Sequence, residues 1–446
     1  MNRKTHYRAC HLCEAICGLA IETEGDRILS IKGDPQDPFS RGHICPKAIA
    51  LQDIQDDPQR LRQPVKRVGE RWESIGWEEA FELVASRFAE IQREHGNNAV
   101  GVYMGNPNVH NYGSMTHGNY FLGQLHTKQR YSATSVDQLP HHLVSLWRYG
   151  HMLMIPIPDI DHTDYFLMLG ANPLASNGSI MTVPDVGKRI KALKARGGKL
   201  VVVDPRRSET AEVASEHLFI QPGTDVALLL GLLNTLFAEN LTKASPVLDA
   251  TEGLDMVAAA VSDFSAEKMA PHCGIPAQQI KQLARDFAAA EHAVCYGRMG
   301  VSVQRYGTLC QWLIQVINVV TGNLDVPGGS LFPEPAFDVV SKGKGGHFNA
   351  WQSRVSGLPE FNGELPSAVL AEEMLTPGDG QIKALFTSAG NPVLSTPNGR
   401  QLDQALEGLE FMVSVDLYIN ETTRHADVIL PPTSALEHDH YDITFN

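Results

Sequence analysis

No apolar stretch in this 446-residue chain is long enough to span a bilayer; the longest runs, such as Val226 to Leu233, fall well short. The opening residues, Met1 to Tyr7, hold no apolar signal core and no twin arginine, so nothing marks export and a cytoplasmic address is the default, with no direct membrane insertion. Positive charge is also scarce. With 37 Lys and Arg against 51 Asp and Glu, the formal net charge is −14, which excludes broad nucleic-acid binding built on phosphate neutralisation. It does not exclude an anionic cofactor, because backbone N–H groups at helix N-termini hold phosphates whatever the overall charge. Cysteine is sparse and odd in number, seven in all, so a disulfide framework is not expected.

What is present is an uneven distribution of those cysteines. Cys10, Cys13, Cys17 and Cys45 stand in the spacing C-x2-C-x3-C-x27-C. Three thiolates close together with a fourth from a distant turn can enclose a [4Fe–4S] cluster. The rival is structural zinc, which usually takes two C-x2-C knuckles. The second knuckle is lacking: Cys45 stands alone in Ile44-Cys45-Pro46-Lys47, and the proline after it suits the end of a cluster-ligand loop. The spacing therefore favours the cluster. Cys273, Cys295 and Cys310 lie in apolar or mixed surroundings and are expected to be small core residues.

The length allows roughly two to four domains. Residues 1–57 read as a small β unit: Leu19 to Thr23, a Gly25-Asp26 turn, then Ile28 to Ile31. A helix is expected from Trp77 to Glu94, capped at Gly96, then a strand from Ala99 to Met104. Asn108 to Tyr149 is polar and reads as irregular. From Asp164 on, apolar strands alternate with helices: Tyr165 to Leu169, a helix through Val186 to Arg196, Leu200 to Val203, Leu218 to Ile220, Ala293 to Tyr296, Ala384 to Phe386 and Met412 to Val415. Asp225 is placed to cap the helix after Gly223-Thr224. Such alternation predicts an α/β protein with parallel sheets covered by helices on both faces. Gly- and Pro-rich segments near Asp325 to Gly329 mark a boundary near residue 330. One turn occurs twice: Gly170-Ala171-Asn172-Pro173 and Ala389-Gly390-Asn391-Pro392 each follow an apolar strand, at the end of an open sheet where ligands bind.

The order of these elements resembles the DMSO reductase superfamily of molybdenum or tungsten oxidoreductases, in the branch of formate dehydrogenase and nitrate reductase. The resemblance rests on the cysteine quartet with Pro46-Lys47, the two Asn-Pro turns, Val203-Asp204-Pro205-Arg206, Pro222-Gly223-Thr224-Asp225, and Asp416 through Pro431. It implies a small N-terminal β-rich iron–sulfur domain (1–57) followed by two doubly wound α/β domains, 58–130 plus 331–446 and 131–330. A C-terminal domain that closes over the cofactor is expected to be missing, the chain stopping at Thr444-Phe445-Asn446.

The implied function is two-electron redox or oxo transfer on a small-molecule substrate at a Mo or W bis(molybdopterin guanine dinucleotide), with a [4Fe–4S] cluster relaying electrons to a partner protein or subunit. The resemblance assigns Cys10, Cys13, Cys17 and Cys45 to the cluster and Lys47 to electron passage between cluster and pterin. It assigns Asn172, Asp204, Arg206, Gly223 and Asp225 to one dinucleotide, and Gly390, Asn391, Asp416 and Asp427 to the second. Gly297, Met299 and Gly300 would let the backbone approach a pterin closely. The loop that carries the metal ligand in relatives corresponds to Tyr131 to Pro140, which has no cysteine. Asp137 is the first choice as ligand, being a hard oxygen donor, with Ser135 and Ser132 as alternatives; a helix N-cap is the plain structural role for Asp137. His141 and His142 are candidates for proton transfer, or else solvated loop residues. Two other readings stand beside this one: a pterin-free iron–sulfur electron-transfer subunit resembling the large subunit of respiratory complex I, and a non-redox hydratase on the same cofactors.

Overall fold

The computed structural model describes residues 3–335 and 337–441. Thr444-Phe445-Asn446, where the resemblance implies an active-site loop, lie outside them. The chain is α/β. Its described residues separate into two compact units, one of residues 3–136 with 346–441, the other of residues 137–335 with 337–345.

The first unit begins with a three-stranded antiparallel sheet, Arg3–Ala9, Gly18–Glu24 and Arg27–Gly33. Gly25 turns the second hairpin at φ +60°, a conformation that glycine adopts without steric cost. Leu19, Ile21, Ile28 and Ile31 pack inward with Leu51 from the short helix Leu51–Asp56.

The same unit holds a seven-stranded sheet in the order Arg71–Ser74, Val65–Val68, Val428–Leu430, Phe411–Val415, Ala384–Ser388, Val100–Met104, Arg130–Ser132. The last five run parallel. Successive side chains of a strand face opposite sides, and the packing follows that period. Leu385 and Met412 join Leu402, Ala405 and Leu406 of helix Gly399–Glu407 on one face. Ala384, Phe386, Phe411 and Val413 meet Phe88 and Ile91 of helix Trp77–His95 on the other.

The second unit is built on four parallel strands in the order Glu216–Leu218, Lys199–Val203, Tyr165–Leu169, Ala293–Gly297. Tyr165, Leu167, Leu169, Val201 and Val203 face helices Asp225–Ala238, Ala277–Ala289 and Gly307–Val320. Phe166, Met168, Leu200 and Val202 face helix Val186–Ala195. Helix Asp225–Ala238 is apolar on nearly every side because it is buried among others. Cys273, Cys295 and Cys310 are buried in this core, as their surroundings implied.

Two local expectations are corrected. The strand expected at Leu218 to Ile220 lies at Glu216–Leu218, because pairing with Lys199–Val203 ends at Val203↔Leu218; Phe219 then turns outward. The stretch from Asn108 to Tyr149 is not irregular. It contains helices Asn119–Gln124 and Leu139–Tyr149 and strand Arg130–Ser132. Burial of His141, His142, Leu143, Val144 and Ser145 holds the second helix despite its polar composition.

Candidate functional site

The cysteines are gathered by the small sheet. Cys10 follows the first strand and Cys17 precedes the second, and Cys10 N donates to Cys17 O at 2.8 Å, closing a tight loop over Cys13. Cys45 sits at the N-cap of helix Pro46–Ile49, whose first residue is a proline with no N–H to lose. Cys10, Cys17 and Cys45 are buried, Cys13 is half-buried, and all four are unbridged. Burial first, with the neighbouring cysteines adding to it, pushes the Cys10 thiol up to about 11 and Cys17 up to about 12. Four clustered thiols that repel one another as thiolates form a donor set that iron reverses into attraction. Among the described residues, no three His, Cys, Asp or Glu side chains are grouped as a single metal ion needs. A four-iron cluster gives each thiolate its own iron and so fits a more open cage. Burial raises the Cys13 thiol's pKa, and Lys47, exposed on the helix after Cys45, offsets only part of that rise.

In the second unit, the strand order reverses between adjacent strands Tyr165–Leu169 and Ala293–Gly297, the place at the carboxyl ends of an open sheet where ligands bind. Gly170 (φ +53°) and Gly300 cross there with backbones in contact. A Cβ on Gly170 would stand 2.8 Å from Val301 N, and one on Gly300 would stand 2.9 Å from Gly170 Cα. Asn172 is held by a clamp: its Nδ2 donates to Glu209 at 2.6 Å, while Thr210 Oγ1 donates to its Oδ1 at 2.8 Å. Thr210 Oγ1 also accepts from Leu174 N at 3.2 Å. Asp204 accepts from Arg206 N at 2.8 Å, and the exposed Arg206 pairs with Glu209 at 3.2 Å. Gly223 has open space around it at φ +77°. Asp225 does not cap its helix; Thr224 is the N-cap. The Asp225 carboxyl is buried, which raises its pKa, and accepts from Gln304 at 2.9 Å. Met299 is exposed beside Gly300.

The first unit repeats the arrangement. Strands Val100–Met104 and Ala384–Ser388 diverge at their carboxyl ends, where a Cβ on Gly105 would lie 1.8 Å from Ala389 O. Asn391 Nδ2 donates to Glu421 at 2.8 Å, Thr422 Oγ1 donates to Asn391 Oδ1 at 2.7 Å, and Val393 N donates to Thr422 Oγ1 at 3.2 Å. These are the same atoms in the same roles as in the Asn172 clamp. Asp416 ends its strand as Asp204 does, accepting from Leu417 N at 2.7 Å; burial raises its pKa. A cavity of about 430 Å³ lies here, lined by Gly390, Asn391 and Asp416 on the sheet side and by His11 and Leu12 from the cysteine loop. Asp427 is not brought to this end. It precedes strand Val428–Leu430, and its carboxylate accepts from Met412 N at 2.8 Å near the amino end of the sheet.

Along the 131–140 loop the hydroxyls are engaged. Ser132 donates to the buried Glu364, whose pKa burial raises, and Ser135 Oγ accepts from Ser367 N at 2.9 Å. Asp137 is no N-cap, since Gln138 holds that position. Its carboxylate instead meets Arg298, at 2.6 Å and 3.4 Å. His141 is buried, with Nε2 at 3.0 Å from Gly297 O; burial first, then Arg298, brings its pKa down to about 3, so the ring is neutral. His142 is also buried, its Nδ1 at 2.9 Å from Met152 O. Neither is a solvated loop residue. Sequence reasoning missed Glu209, Thr210, Glu421, Thr422, Gln304 and Arg298. The Glu-Thr pairs follow the strand after each Asn-Pro turn, in Ser208-Glu209-Thr210 and Asn420-Glu421-Thr422, but nothing in the sequence itself joins them to the asparagines.

Comparison with known proteins bears on both halves of this site. Residues 60–445 match the family model described as molybdopterin oxidoreductase, and residues 4–57 match that of the molybdopterin oxidoreductase Fe4S4 domain. The nitrate reductase of Symbiobacterium thermophilum is 28% identical, over 95% of this chain and 59% of that protein. Formate dehydrogenase H of Escherichia coli is 26% identical, over 96% of this chain and 62% of its own length. The chain thus spans less than two thirds of these relatives. In structure it is similar to acetylene hydratase from Pelobacter acetylenicus, with a TM-score of 0.79 at 20% identity, over 96% of this chain and 63% of that one.

Proposed function

Because the chain belongs to the molybdopterin oxidoreductase family and carries that family's Fe4S4 domain at residues 4–57, we propose that it is the catalytic chain of a bis(molybdopterin guanine dinucleotide) enzyme. When bound, the molybdenum or tungsten centre supplies two-electron redox or oxo transfer on a small-molecule substrate, and the [4Fe–4S] cluster supplies one-electron steps.

The observation that carries this reading is the twin clamp. Parallel strands of two sheets in one chain end in the same Asn–Glu–Thr hydrogen-bond pattern, each beside a close glycine crossing at a strand-order reversal. A pair of matched sites fits a cofactor with two dinucleotide arms better than a single nucleotide. In this reading Asn172, Asp204, Arg206, Gly223 and Asp225 receive one arm, and Gly390, Asn391 and Asp416 the other. Asp204 and Asp416 are acceptors for guanine N–H groups, and Arg206 is a phosphate partner that must give up Glu209. The backbone at Gly297, Met299 and Gly300 is where a pterin would approach closely, Gly297 being buried and Met299 and Gly300 exposed. Cys10, Cys13, Cys17 and Cys45 hold the cluster, and Lys47 offers a cation beside it. Asp137 is the protein ligand toward the metal. His141, neutral and buried, orients the Gly297 carbonyl rather than carrying a proton.

Among the described residues no helix is long and apolar enough to cross a membrane. We place the protein in the cytoplasm, exchanging electrons with a partner protein or subunit. The test is dye-linked turnover by the anaerobic full-length protein. A viologen should be oxidised or reduced in step with substrate across a panel of formate, nitrate and S- or N-oxides. Product formed with no electron acceptor or donor present would overturn the redox assignment.

A further inference from the structure

Arg298 takes no part in either clamp and matched no motif, yet it is a nearly buried cation at this strand end. It is the first residue past strand Ala293–Gly297, and its side chain is only 12% exposed. Its backbone is fastened on both sides: Arg298 N donates to Leu169 O at 3.2 Å, and its carbonyl accepts from Val301 N and Ser302 N at 3.0 and 3.1 Å. The residue before it is pinned as well. Gly297 O accepts from Gln311 Nε2 at 3.2 Å and lies 3.0 Å from His141 Nε2. Gln311 also donates to Ser302 Oγ at 2.9 Å, closing the network under the turn.

This rigid base presents a guanidinium fork to Asp137 across 161 residues of sequence. The two arms are unequal. Nη1 holds Oδ1 at 2.6 Å, whereas Nη2 reaches Oδ2 only at 3.4 Å. One carboxylate oxygen is therefore committed and the other is loosely held. A fork of this kind fixes direction as well as charge, which a lysine cannot do.

We propose that Arg298 is a positioning residue for Asp137: it grips Oδ1 and leaves Oδ2 as the oxygen offered to the metal. The proposal rests on the reading of Asp137 as the protein ligand. His141 and Gln311 act one step further back, by fixing the Gly297 carbonyl and so the base of Arg298. The serine hydroxyls of the same loop are engaged elsewhere, Ser132 with Glu364 and Ser135 with the Ser367 amide, so the loosely held Asp137 Oδ2 is the loop oxygen nearest to being available.

The experiment uses full-length, anaerobically prepared protein with its metal bound. Asp137→Ala, Arg298→Met and Arg298→Lys are compared by iron content, by Mo or W content, and by the paramagnetic resonance of the pentavalent metal. Iron reports whether the fold survives. Asp137→Ala should shift the metal's g-values. Arg298→Met should shift them too with iron unchanged, and Arg298→Lys should fall between it and wild type. If Asp137→Ala shifts the signal while both Arg298 variants keep the wild-type signal, the positioning role is wrong and the ligand reading stands. If Asp137→Ala leaves the signal unchanged, the ligand reading fails and the positioning role falls with it. Should Arg298→Met lose its iron, Arg298→Lys alone decides: a wild-type signal overturns the proposal, a shifted one supports it.

Discussion

Glu437 shows how one side chain ties the cysteine-bearing segment to the sheet-end loops of the same unit. Its carboxylate accepts from the buried Arg60 guanidinium at 3.0 and 3.1 Å, from Gln55 at 2.7 Å and from Ser434 N at 2.8 Å. Burial works to raise its pKa, but these donors outweigh it and hold the group at about 2. The folded value lies below the unfolded one of roughly 4.3. The contribution is therefore fully present above that pH and is lost as pH falls toward 2. Glu437→Gln should cost about 1–2 kcal/mol at pH 7, because Arg60 is left buried without its charge partner. Denaturant unfolding of both forms should show the gap narrowing as pH drops from 5 toward 3; a gap constant with pH would contradict the assignment. The Asn172 clamp makes a second prediction at this scale. Thr210→Val removes the hydroxyl that joins Asn172 Oδ1 to Leu174 N and should cost about 1–2 kcal/mol, read in the same way. The Asn-Pro turns were legible because proline and glycine punctuate a sequence. Their Glu-Thr partners were not, since Glu-Thr is an ordinary pair until folding sets it beside Asn172. Arg298 was invisible for the same reason: its meaning lies in a carboxylate 161 positions away.

Elements were read best where one physical signal governed them. Strand Tyr165–Leu169 and helix Val186–Ala195 follow their apolar runs and periods, and Gly96 ends helix Trp77–His95 at φ +83°. Helix Leu139–Tyr149 was read only as a segment that Asp137 could cap, within a stretch taken as irregular, because its buried face includes two histidines, which composition counts as polar. The strand-end crossings were also beyond sequence, since a glycine's necessity depends on what passes over it. Gly105 and Gly118 separate the two cases. A methyl on Gly105 would sit 1.8 Å from the Ala389 carbonyl oxygen, whereas Gly118 has nothing within 4 Å. Gly105→Ala should destabilise the first unit by about 3 kcal/mol or more, as overpacking against rigid backbone does. Gly118, at φ −59° where two helical segments join, should gain about 0.5–1 kcal/mol on replacement by Ala. Melting temperatures of the two variants check this, and a Gly105→Ala protein as stable as wild type would show that the crossing is not close.

At the scale of the whole molecule, the acidic chain places its matched Asn-Pro turns at the carboxyl ends of parallel strands in two sheets, with the four thiols on a small separate sheet. Strand–helix alternation made the α/β class legible, and the order of short motifs made the family legible. The equivalence of the two sheet ends became visible only in atoms, because the repeated residues, Asn172 with Glu209 and Thr210 and Asn391 with Glu421 and Thr422, are interleaved with unrelated sequence. That equivalence is what argues for two nucleotide arms, and composition of the bound cofactor tests it most directly. Anaerobically purified full-length protein, denatured and assayed for metals and nucleotides, should give about four iron per chain, as a four-thiolate cluster requires. It should also give one molybdenum or tungsten, and two guanine nucleotides for each such metal. Zinc in place of iron, with no guanine nucleotide released, would contradict the account.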